Sequence, residues 1–259
     1  NIAAKDLTLT SNVGSAVYTI QTGAITDNAT TGDIIAATQA NDTATLNVTI
    51  ASAVLNAGGT AGVITIKDLD DAEGDMNVTF TGALTTDTTL IIQALENTDS
   101  ETLTVNFDGA TTITGAVEAE NDANATDTGA LELKASAAIT FSAGLDLSSN
   151  NNANAKLILD GTAAQTVAGV IDGEAASKGE INVTNADGLV TFSGNVGSNN
   201  ALNIVTVGTT TNDSSAKFTG TVAGTTINVQ SGESATEDSS ILFDAAVVGA
   251  LVLKPGAAS

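Results

Sequence analysis

The chain contains no cysteine, no histidine and no tryptophan, and its seven cationic residues are all lysine. Each absence removes a class of chemistry. Without cysteine there is no disulfide, no thiolate zinc site and no thiol nucleophile. Without histidine, the usual nucleophile–base pairs and histidine-bearing zinc sites cannot be assembled. Seven lysines against 30 acids leave a formal net charge of −23. That is the wrong sign for neutralising phosphates, so nucleic acid is excluded as a natural partner, and anionic membrane surfaces are disfavoured. An acidic surface instead keeps crowded copies apart and attracts divalent cations.

Long apolar runs are missing too. The longest, Ala245–Leu253, is nine residues with Gly249 inside it, far short of the ~20 that a membrane-spanning helix needs. Proline occurs once, at Pro255, which leaves every earlier position free to donate to a β-ladder. Asn1 opens the chain with neither Met nor a basic and apolar leader pattern, which reads as a processed product or an excerpt. Aromatics are only 3% of the 259 residues, whereas hydrophobic residues as a whole are 42%. A core built from Ala, Val, Ile and Leu suits thin, stacked layers better than a globule packed around large rings.

What is present is a repeat. The stretch "LVTFSGNV" (Leu189–Val196) returns as "AKFTGTV" and "ILFDAAV". With Phe192 as anchor, matches fall at Ile50, Phe80, Ile113, Phe141, Val167, Phe192, Phe218 and Phe243, in steps of 30, 33, 28, 26, 25, 26 and 25 residues. A looser copy puts Ile20 one step earlier. A second apolar-alternating segment follows each anchor, as in "VITI" (Val63–Ile66), "LII" (Leu90–Ile92), "LEL" (Leu131–Leu133), "LIL" (Leu157–Leu159) and "INV" (Ile227–Val229). Between them lie Gly, Asn, Asp, Thr and Ser, the residues of tight turns. Each unit therefore reads strand, turn, strand, turn. Only "ASAVLNAGG" (Ala51–Gly59) and "TTLIIQALEN" (Thr88–Asn97) suggest helix.

Repeats of this period predict an all-β solenoid of 25–30-residue coils. Equivalent residues would stack about 4.8 Å apart, and eight or nine coils would make a rod about 40 Å long. On this reading Phe192, Phe218 and Phe243 form an interior column, with Phe141 below and Val167 between. Gly194 and Gly220 fall where a Cβ would strike the next coil. The alternative is a tandem pair of β-sandwich domains. The longer early steps divide the chain softly into an irregular region, 1–108, and a regular one, 109–259.

The acidic stretch "KDLDDAEGD" is the candidate metal site. Asp68, Asp70, Asp71, Glu73 and Asp75 offer hard oxygen ligands, and Gly74 a turn, as calcium requires. The EF-hand and calcium-roll patterns are both absent. Weaker versions are Glu118–Asp127 and Glu233–Asp238. "GGTAG" (Gly58–Gly62) lacks the lysine of a phosphate loop and reads as a turn. Sequons stand at Asn28, Asn41, Asn47, Asn77, Asn124, Asn182 and Asn212, as chance dictates in a chain rich in Asn and Thr.

The units "VTFSGNVG…ALNIVTVG" and "AKFTGTV…TTINVQSG" resemble the degenerate repeats of bacterial cell-surface proteins, namely autotransporter passenger regions and repeat-rich S-layer proteins. The likeness spans roughly Leu46 to Leu253. It implies export, a β-solenoid or stacked β-domains, and service as a coat or adhesin. The expectation is a non-enzymatic extracellular structural protein that self-associates into a surface layer, filament or stalk, with Ca²⁺ as a possible latch and no required cofactor. The rival expectation is a glycan- or host-binding adhesin or phage fibre segment. The aromatic rows that stack sugars are missing, since only Tyr18 and Phe107 lie off the anchors. A polysaccharide-cleaving β-helix would need acid–base partners that the composition does not supply.

Overall fold

Alternation of inward apolar and outward polar residues builds every well-formed strand. Leu46–Ile50, Met76–Phe80 and Thr89–Ala94 each bury every second side chain, the period of an extended backbone with one face on a core. In the computed structural model of the chain, the backbone is described for residues 2–4, 8–11, 16–20, 25–27, 32–39, 45–51, 54–57, 63–68, 75–86, 89–94, 102–121, 130–148, 155–232 and 238–254. Side chains are described for 45–51, 65–67, 75–86, 89–94, 102–120, 130–148, 155–232 and 238–254.

The fold is all-β, with no helix among the described residues. Its strands form three parallel sheets, two of ten strands and one of seven. Together they make a β-solenoid, and the tandem-sandwich alternative is set aside. One coil runs from the first face (Leu84–Thr86) to the second (Thr89–Ala94) and the third (Thr102–Phe107), then returns to the first at Thr111–Ile113. The ladders pass through Gly109 unbroken: Leu84–Thr86 pairs with Thr111–Ile113, and Thr102–Phe107 with Ala130–Ala135. One apolar cluster extends from Leu46 to Ile227.

The expected two strands per repeat are corrected to three faces. "VITI" and "LII" belong to the second face, and "LEL", "LIL" and "INV" to the third. The second face has its last strand at Ile171–Gly173 and continues only as bridges, Ile171 to Val196 and Val196 to Val222. Beyond it, the long strands Val222–Gln230 and Val247–Lys254 absorb that side. Coil length falls accordingly. Third-face partners are 30 residues apart at Ile50 and Phe80, 28 at Phe107 and Ala135, and 24 at Leu159 and Val183. The regular late spacing thus marks slimmer coils with shorter corners. Both stretches that suggested helix contain strands, Val54–Ala57 and Thr89–Ala94, because neighbouring coils supply ladder partners on both sides.

The anchor column also needs correcting. Ile50 and Phe80 lie on the third face, whereas Ile113, Phe141, Val167, Phe192, Phe218 and Phe243 lie on the first. The 33-residue step therefore crossed from one face to another. Phe80 stacks on Phe107, with ring centroids 5.7 Å apart. Val167 pairs with Ile139 and Phe192 with Val167, so Phe141 sits two residues along from the later rings. The ring column proper is Phe192, Phe218 and Phe243, with centroids 4.5 and 5.7 Å apart. Offset stacking of this kind adds about 0.5–1.5 kcal/mol per pair beyond area burial.

Two corner features close the coils. A Cβ on Gly194 would lie 1.9 Å from the Gly169 carbonyl oxygen, so consecutive coils meet there backbone to backbone. Elsewhere, buried Gln165 and Asn185 satisfy a turn. The Gln165 amide donates to the Ala135 carbonyl at 2.7 Å, the Asn185 amide donates to Gln165 Oε1 at 2.7 Å, and Asn185 Oδ1 accepts the Gly188 N–H at 2.7 Å. Buried polar groups tied up in this way avoid the desolvation cost of unpaired ones.

Chemical denaturation provides a direct check. Gly194→Ala should cost about 1–3 kcal/mol through overpacking, while Gly82→Ala, whose added methyl meets nothing within 4 Å, should stay within about 0.5 kcal/mol of the parent. Phe218→Ala, which empties the middle of the ring column, should cost about 3–5 kcal/mol.

Candidate functional site

The second face gathers the chain's most concentrated chemistry. On Val117–Asn121 the inward positions are Val117 and Ala119, which leaves Glu118 and Glu120 outside. On Leu145–Leu147 the same alternation exposes Asp146. Parallel register then places Glu118 beside Asp146, and Asp146 beside Asp172. Adjacent strands lie about 4.8 Å apart, so three carboxylates share one row. Glu120 and Glu174 flank it, and with Glu118, Asp146 and Ser148 they line a cavity of about 230 Å³.

Like charges opposed across a ladder destabilise it, and local donors offset part of that cost. The Gln93 amide donates to Glu120, and the Ser148 hydroxyl donates to Glu174. Asp172, only 5% exposed, accepts the Asn199 backbone N–H at 3.0 Å and its side-chain amide at 2.7 Å. Partial burial, then the charges of Glu120, Asp146 and Glu174, push the Glu118 carboxyl above its ordinary value. Burial, then Asp172 and Glu174, do the same to Asp146. The third face handles charge differently. Its register alternates Glu132, Lys156 and Glu180, and Lys134 Nζ lies 3.1 Å from Glu132. Among the described residues, no group of three or more Asp or Glu is arranged to hold a metal ion.

The sequence-predicted calcium residues stand apart from this face's acidic row. Asp68 ends the Val63–Asp68 strand and pairs with Ala94; Asp70, Asp71 and Glu73 lie outside the described residues. Asp75 is exposed, and its Oδ1 accepts the Thr102 N–H at 2.9 Å, bracing one coil against the next. Of the two weaker acidic stretches, Glu118 and Glu120 join the row just described; residues 122–127 and 233–237 lie outside the described residues. Sequence reasoning missed Asp146, Asp172 and Glu174. The available signal was their separation of one coil length from Glu118 and from one another. Of the sequons, Asn77 donates to Asn47 Oδ1 at 3.2 Å, a side-chain ladder on the third face; Asn28, Asn41 and Asn124 lie outside the described residues.

A second concave region, about 580 Å³, lies on the first face over its last three strands. Leu189 and Leu242, 44% and 53% exposed, contribute apolar surface. Ser215 and Ser240 hydroxyls meet at 2.8 Å, and Lys217 Nζ lies 2.8 Å from Asp244. Asp187, Asp213 and Asp238 complete the wall. Above these strands, Leu251 and Leu253 of the Ser240–Lys254 coil pack on Ile227 and Val229 beneath but stay 52% and 71% exposed. No helix among the described residues is long and apolar enough to cross a membrane.

Compared with protein families, characterised proteins and solved structures, the chain shows no significant match to any of them.

The row's electrostatics give a pH dependence with a definite sign. Carboxyls whose folded pKa exceeds the unfolded value add stability at low pH, and that contribution is lost as pH rises through the folded value. Thermal melts should therefore show a midpoint that falls between about pH 4 and about pH 7. The double variant Glu118→Gln, Asp146→Asn should fall less steeply. An unchanged slope in that variant would show that the row does not set the dependence.

Proposed function

We propose that this chain is a non-enzymatic, extracellular structural repeat protein, a building block of a surface layer, filament or adhesive stalk. The observation that carries the reading is the pair of ten-stranded parallel ladders. Their hydrogen bonds run along the solenoid axis, so a load applied at the ends is shared among all strands of a cross-section. Ten strands at about 4.8 Å extend roughly 43 Å, a stiff spacer rather than a hinge. Solenoids of this kind need their terminal coils capped or joined, because an open coil presents unpaired backbone groups. Self-association into a multi-copy assembly follows from that need.

Charge sets the conditions. At −23, copies repel one another until salt or divalent cations screen them. The Asp68–Asp75 segment is the proposed calcium latch, held next to a coil junction by the Asp75–Thr102 hydrogen bond. The resemblance to autotransporter passengers and S-layer repeats supports an exported, cell-surface setting. Electron microscopy and light scattering of the purified chain, with and without millimolar calcium, test the proposal. Ordered sheets or fibres are expected with calcium, and a monomer under every condition would overturn the assembly role.

The first-face concavity favours a second reading, a glycan- or host-binding adhesin or fibre segment. Exposed leucines beside hydroxyls and carboxylates make a surface that offers a sugar both an apolar contact and hydrogen bonds. On a glycan array the parent should retain a neutral glycan, and Leu242→Lys should lose it. No retained glycan would remove this reading and leave the structural one standing.

A further inference from the structure

We draw no further inference here: the strongest candidate, the apolar upper surface of the Ser240–Lys254 coil formed by Val247, Leu251 and Leu253, carries nothing because nothing in the structure shows what covers it.

Discussion

Parallel, in-register pairing is the constraint on which everything else in this molecule depends. Each coil donates to and accepts from its neighbours, so a side chain has no choice of partner: it sits directly over the residue one coil away. For apolar groups the result is favourable. Phe192, Phe218 and Phe243 become a ring column, and Leu133, Leu157 and Ile181 an aliphatic one. Amides gain too, as Asn77 reaches Asn47 and Asn106 reaches Thr79, each at 3.2 Å. For carboxylates the same rule is a burden, and the row of Glu118, Asp146 and Asp172 is its consequence.

The composition follows from the cross-section. A coil only a few side chains across has no room for many rings, and the interior is filled mainly by Val, Ile, Leu and Ala, with Phe confined to short stacks. Corners impose their own demand. Where Gly194 passes Gly169, two backbones approach too closely for any Cβ. As the second face fades after Ile171–Gly173, the chain needs fewer residues to complete a circuit. Steps in the last third are therefore both shorter and more uniform than those in the first.

Much of this was legible before any coordinates. A phrase such as "VTFSGNV", returning every 25 or 26 residues, encodes one inward–outward alternation and one turn, which is enough to identify a solenoid. It was not enough to assign faces. The pattern of apolar, Thr, apolar ring, then small residue satisfies a strand on either the first or the third face, so Phe80 and Phe192 look equivalent in sequence yet occupy different sheets. Phe107 looked unrelated because its local phrase, "TVNFDGA", departs from the pattern. Its place over Phe80 is set by register alone. The acidic row was hidden for the same reason: Glu118, Asp146 and Asp172 sit in unlike local contexts, and only pairing makes them neighbours.

By itself, the sequence determined that the chain is all-β, repeats at coil length, carries a strongly negative surface and lacks thiol and imidazole chemistry, because composition and periodicity are local properties of the chain. Only the tertiary structure decided the number of faces, the true stacking partners and which acids share a row. Those depend on how many residues each corner consumes. A change of two residues there moves Phe141 out of line with Phe192, and no local pattern records it.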